Sequence, residues 1–154
     1  MMRSLLIAPA VALLLSTQSE AADLMGPGRF CGYAPIIDLV PGESVTTLEG
    51  GIHGGSFLWD GAFGSLKVHG IGWASRPKGR MIGPASSAKP ARSQQHQVDG
   101  GYEIAIWTGG HGAAYFSSVT PFTARQVEAI SRVKLFEEGQ TPSDCKLRTV
   151  FSWE

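Results

Sequence analysis

Four histidines, His53, His69, His96 and His111, are the side chains of this chain best suited to proton transfer or metal binding near neutral pH. Two of them have similar surroundings, Gly50-Gly51-Ile52-His53-Gly54-Gly55 and Gly109-Gly110-His111-Gly112. Glycines leave room for a substrate or ion to approach an imidazole and the backbone beside it. A divalent metal needs three or four ligands converging at about 2.0–2.2 Å, and His53 and His111 with Asp60 or Glu103 are the candidate set. The same two histidines are the candidate catalytic groups of a metal-assisted hydrolase. No spacing in the sequence forces them together, and the plainer reading places glycine-flanked histidines in exposed turns. A histidine base with Ser56, Ser117 or Ser118 as nucleophile is the other chemistry these residue types allow. Distance decides it, since such constellations are defined by geometry and not by composition.

A second candidate is electrostatic. Lys67, Arg76, Lys78, Arg80, Lys89 and Arg92 follow one another with no acidic residue between Asp60 and Asp99. From 76 to 92 hydrophobic periodicity disappears, and Pro77, Pro84, Pro90 and Ser86-Ser87 break the chain. This reads as a long basic loop, and loops of that length without regular structure are usually functional or disordered. Arg76, Lys78 and Arg80 are the candidate binding residues for an anionic surface or an envelope protein. No aromatic residues interleave with them as in modules that stack nucleobases, so nucleic acid is a poor partner. The whole chain is balanced, with 13 basic and 13 acidic residues.

The sequence contains no GxSxG, HExxH, GxxxxGK[ST], GxGxxG or calcium-loop pattern, so the reactions those motifs announce have no support. No cofactor is predicted beyond the metal considered above. Trp59, Trp73, Trp107 and Trp153, with Tyr102 and Tyr115, read as core side chains on alternating strands before they read as a sugar-stacking face.

The first 21 residues carry an address. Arg3 precedes an apolar run from Leu5 to Leu15, and Ser19-Glu20-Ala21 puts small residues where a signal peptidase needs them. The run is too short for a bilayer span, and no later stretch is long or apolar enough for one. Residues 22–154 are therefore expected to be exported, to the periplasm or beyond, as a single domain. The two cysteines, Cys31 and Cys145, stand near its ends without metal-site spacing, and export makes a disulfide between them the expectation.

These groups need elements to position them. Asp60-Gly61 and Asp99-Gly100-Gly101 sit between strand-like runs and read as hairpin turns, with Gly109 to Gly112 as a third. From Leu66 to Ala74 one face carries Leu66, Val68, Gly70, Gly72 and Ala74, and its small residues imply something packed close, most simply a helix. A short strand is expected from Ile36 to Val40, and another from Gln94 to Val98. Thr123 with Gln126 forms a capping box, so a helix is expected over 124–138, ended by Gly139 and Pro142. Glu137 and Glu138 would then oppose its macrodipole. Cys145 to Trp153 alternates as a final strand.

The fold expected is α+β, an antiparallel meander of about five to seven strands with one C-terminal helix on one face, a final strand and one disulfide. The function expected is binding, as a non-catalytic module of the cell envelope that engages an envelope protein or an anionic surface. The alternative is the metal-assisted hydrolase built on His53 and His111.

Overall fold

The computed structural model describes residues 21–72, 90–108, 112–136 and 142–148. The expected signal peptide, apart from Ala21, lies outside them. The described chain opens with short strands β1 (Leu24–Met25), β2 (Gly28–Cys31) and β3 (Pro35–Leu39). Longer strands β4 (Ser44–Gly50), β5 (Gly54–Gly61) and β6 (Gly64–Ile71) follow as successive hairpins, and then β7 (Ala91–Arg92), β8 (His96–Val98), β9 (Gly101–Trp107) and β10 (Ala113–Ser118). Helix α1 (Ala124–Ser131), β11 (Lys134–Leu135) and β12 (Cys145–Arg148) complete the order.

The α+β expectation holds in outline, but the strands form two sheets instead of one. The larger has eight strands in the order β1-β4-β5-β6-β10-β9-β7, with β8 also on β9, and the smaller has four in the order β11-β3-β2-β12. The reason is one of area. Strands about 4.8 Å apart make the larger sheet roughly 30 Å wide, whereas eight residues of helix span only about 12 Å. Such a helix cannot cover that face, and the small sheet covers the rest. Phe30, Ile37 and Leu39 of the small sheet, Phe57, Trp59, Val68 and Phe116 of the large one, and Ala129 and Ile130 of the helix belong to one buried cluster. Phe30 and Phe57 meet edge to face across the layers with centroids 4.6 Å apart.

The helix is also shorter than predicted. It begins as expected, with the Thr123 hydroxyl accepting from the Gln126 N–H and the Gln126 side chain accepting from the Thr123 N–H. It ends at Ser131, with Arg132 as its cap. Val133 and Leu135 are buried and Lys134 is exposed, an alternation that fits a strand as well as a helical stripe. The chain takes the strand option because Lys134 and Leu135 pair with Ile36 and Pro35 of β3. The Arg132 N–H closes the last turn on the Ala129 and Ile130 carbonyls, and the Arg92 guanidinium adds donors to the carbonyls of Ile130 (3.1 Å) and of Val133 just beyond the helix. Glu137, Glu138 and the expected Gly139 stop lie outside the described residues, and they are not in the last turn of this helix.

Two hairpins form where the glycines predict them, with one shift. Asp99-Gly100 is the two-residue turn between Val98 and Gly101, with Gly100 at φ +81°. Asp60-Gly61 instead belongs to β5, the turn is Ala62-Phe63, and the left-handed residue is Gly64 at φ +91°. The Gln94–Val98 strand is trimmed to β8, and Ala91-Arg92, counted with the basic loop in the sequence, pairs with Trp107 and Ile106.

Cys31 and Cys145 are joined in a disulfide 114 residues apart in sequence. It fastens β12 beside β2 in a parallel pairing. The rest of the expected final strand, 149–153, lies outside the described residues. A second tie runs through Glu43, only 4% exposed, which accepts from the Val40 N–H (3.2 Å), the Trp59 indole N–H (3.3 Å) and the Arg132 guanidinium. Arg132 also lies over the Trp59 ring, 5.4 Å from its centroid. This buried carboxylate has its hydrogen bonds and its counter-charge together, the condition under which burial of a charge is tolerated.

Candidate functional site

The glycines around His53 and His111 suggest access for a ligand, and the structure gives them another use. On the inner face of the large sheet, Gly55 stands opposite Gly70, and Gly70 opposite Ala114. The β2–β3 turn, Gly32-Tyr33-Ala34-Pro35, docks into this row. A Cβ at Gly70 would lie 2.4 Å from the Gly32 carbonyl oxygen, one at Gly55 2.6 Å from the Tyr33 ring, and one at Gly112 2.5 Å from the Ala34 Cβ. The Tyr33 hydroxyl then donates to the Gly51 carbonyl (2.6 Å) and accepts from its N–H (3.0 Å). The close-packing element predicted on the Leu66–Ala74 face is therefore this turn and not a helix. Glycine at 55, 70 and 112 answers a packing need.

His53 itself is exposed in the β4–β5 loop, and its backbone carbonyl accepts from the Gly72 N–H (2.8 Å). His111 lies outside the described residues. Neither carboxylate offered as a further ligand is near His53. Asp60 sits at the far end of β5, about 20 Å from Gly54 at strand rise, and accepts from the Ser65 hydroxyl. Glu103 faces His96. Among the described residues no group of three or more His, Cys, Asp or Glu could hold a metal ion.

Register does bring the described residues that flank the candidate segments to one place. Gly54 is opposite Ile71, Ile71 opposite Ala113, Ala113 opposite Trp107, and Trp107 opposite Ala91. These five residues form one row across the end of the large sheet. His53 precedes the first. The segment holding Arg76, Lys78 and Arg80 leaves after Ile71 and returns at Ala91, and the connection holding His111 joins Trp107 to Ala113. Arg76, Lys78 and Arg80 themselves lie outside the described residues.

The outer face of the same sheet carries a belt that the sequence reading did not assemble. Ser56, His69 and Tyr115 lie in cross-strand register on β5, β6 and β10. Ser56 Oγ and His69 Nδ1 are 2.9 Å apart. Burial holds His69 below the ordinary imidazole range, with exposed Lys67 acting the same way and Glu49 against it. Burial likewise raises Tyr115, with Glu103 adding to the effect, and raises Glu103, with His96 opposing. A serine beside a neutral histidine is the beginning of a nucleophile–base pair. Ser56 is only 2% exposed, so a substrate cannot reach its hydroxyl, and the pair serves as a satisfied buried hydrogen bond. Ser117, a second candidate serine on this face, stands opposite Lys67 and Glu103, and the Ser118 hydroxyl accepts from the Thr120 N–H (3.2 Å). The signal for the belt was available, since Ser56, Lys67, His69 and Glu103 occupy the polar phase of alternating strands. Only register made them neighbours.

Beyond the belt lies a small buried cluster of Ala105, Trp107 and Ala113, with Ala91 and Tyr115 packed on it. The Trp107 indole N–H is buried there without a hydrogen-bond partner among the described residues. Trp59 and Trp107 are core side chains, as expected, while Trp73 and Trp153 lie outside the described residues. Among the described residues no helix is long and apolar enough to cross a membrane.

No protein-family model, curated protein or solved structure matches this chain.

Proposed function

We propose that the protein is an exported binding module that engages an anionic surface through the sheet end marked by Gly54, Ile71, Ala113, Trp107 and Ala91. The observation that supports this is the row itself, because the segment bearing Arg76, Lys78 and Arg80 both leaves and rejoins the sheet within it. Cations on a segment whose two described ends join the same end of a sheet can add their attraction to one surface. Each is worth about 1 kcal/mol near an anionic membrane, so together they shift binding on the order of 100-fold.

Co-sedimentation with vesicles tests this directly. The protein is expected to bind phosphatidylglycerol-containing vesicles and not phosphatidylcholine alone. Binding should weaken steeply with salt, and the Arg76→Ala, Lys78→Ala, Arg80→Ala triple variant should lose most of it while keeping its unfolding midpoint. Equal binding by the triple variant, or none by the wild type, rejects the reading.

The second reading is the metal-assisted hydrolase. It rests on His53 lying at the same sheet end as Trp107 and Ala113, the residues that flank the segment bearing His111. Its test is the unfolding midpoint with Zn²⁺, Ni²⁺ or Mn²⁺ after chelation. Metal at 100 times its Kd stabilises by about 2.7 kcal/mol, a shift of several degrees that His53→Ala and His111→Ala must each abolish. No shift with any of the three metals removes this reading.

A further inference from the structure

We propose that the peptide bond between Ala21 and Ala22 is a processing site that folding protects, so that a signal peptidase cuts it readily only before β1 docks on β4. This inference rests on the exported reading above and adds an order of events to it. Ser19 and Ala21 are the small residues such a peptidase requires three before and one before the cut. Hydrolysis adds one water across the bond, leaving a carboxylate on Ala21 and an α-ammonium group on Ala22.

Hydrogen-bonded structure begins at once on the far side of that bond. The Asp23 N–H donates to the Val45 carbonyl (2.9 Å), and the Asp23 carboxylate accepts from the Thr47 N–H (2.5 Å). Leu24 then pairs with Val45 and Met25 with Ser44. Past β1, the Gly26 N–H donates to the Glu43 carbonyl (2.8 Å). Leu24 packs against the main core, and the Gly26 backbone lies so close to Val40 that a Cβ there would be 2.2 Å from the Val40 carbonyl oxygen. The second residue after the scissile bond is therefore tied to β4 through both its main chain and its side chain.

An endopeptidase takes the residues on either side of the scissile bond into its cleft as an extended chain, so the bonds those residues make within the fold must first break. Susceptibility follows the hydrogen bonding of the affected backbone, and cleavage of a protected site follows the population in which it is open. Opening here means lifting Asp23 off β4. Two hydrogen bonds of ordinary net strength correspond to roughly 30-fold fewer open molecules. Before β1 docks, the same bond has no such protection. Cleavage therefore comes first and docking second, and β1 then carries the new N-terminus onto the edge of the large sheet.

The test sets purified signal peptidase in detergent on two substrates, the folded and oxidised chain 1–154 and a synthetic peptide of residues 12–27. Mass spectrometry identifies the product that starts at Ala22. The peptide should be cut between Ala21 and Ala22 roughly 30 times faster than the folded chain. Asp23→Ala removes one of the two bonds, so it should speed cleavage of the folded chain about fivefold relative to a peptide with the same substitution. Equal rates for the wild-type chain and its peptide overturn the protection and leave the processing site standing. A peptide left uncut at this bond overturns the processing site itself, and the proposal with it. If the variant does not fold, amide exchange in the wild-type protein decides. The Asp23 and Thr47 amides must be protected, and exchange at unfolded-chain rates overturns the proposal.

Discussion

Phe57 and Ser56 are neighbours on β5, both buried, and they face opposite sides of the same sheet. Phe57 looks inward to Phe30 and the shared core, while Ser56 looks outward to His69. The inner face is a continuous apolar surface closed by the small sheet and α1. The outer face carries Ser56, His69, Tyr115, Glu103 and His96, and a small buried cluster around Trp107. Alternation with period two lets one strand meet both demands. The difference teaches that folding energy and chemical potential are separated by half a pleat, so substitutions one residue apart should fail in different ways.

The largest effect is expected from opening what covers the inner face. Replacing Cys31 and Cys145 together by serine frees the small sheet's outer strand and a loop of 114 residues. The chain-entropy model puts the loss at about 4–5 kcal/mol, to be read from urea unfolding of the oxidised wild type against the double variant. A loss near zero would mean that β12 contributes nothing to closing that face.

Next comes the direct contrast. Phe57→Ala should cost about 3–5 kcal/mol, as expected for a fully buried aromatic side chain. Ser56→Ala should cost about 1 kcal/mol, because one hydrogen bond to His69 is lost. Comparable losses in the same denaturant titration would erase the distinction between the faces.

Gly70→Ala probes the fit between the two sheets. Its Cβ would meet the Gly32 carbonyl oxygen at 2.4 Å, a backbone atom that cannot swing aside. Overpacking of this kind costs about 1–3 kcal/mol. A neutral result by thermal unfolding would show that the β2–β3 turn does not need the gap.

The smallest effect belongs to the outer face and depends on pH. His69 is held below the ordinary imidazole range by burial, so the unfolded chain takes up its proton first as pH falls. The stability this side chain contributes is present above its usual value near 6.5 and declines below it. The midpoint of the wild type should therefore drop between neutral pH and pH 5 by more than that of His69→Gln. Parallel curves for the two proteins would show that His69 does not sense its burial.

Much of the inner face could be read from the chain. Leu66, Val68 and Gly70 alternate with Lys67, His69 and Ile71, and burial follows that phase. Thr123 and Gln126 announce the start of the helix because a capping box is local chemistry. The end of the helix was illegible for the opposite reason, since Val133 and Leu135 suit either period and their pairing with β3 decides. The His53 glycines misled because a glycine that admits a neighbouring turn has the same sequence signature as one that admits a ligand. The Ser56–His69 pair required register, which no single strand carries.

The sequence alone determined the elements whose causes lie within a few residues: alternating strands, the Asp99-Gly100 turn, the capped start of α1, and two cysteines suited to pairing. Tertiary structure decided the rest. It split the strands into two sheets because one short helix cannot cover a wide face. It set the Arg92 guanidinium at the end of that helix. It also gathered Ser56, His69, Tyr115, Glu103 and His96 on one surface, because cross-strand register joins residues that local propensity cannot relate.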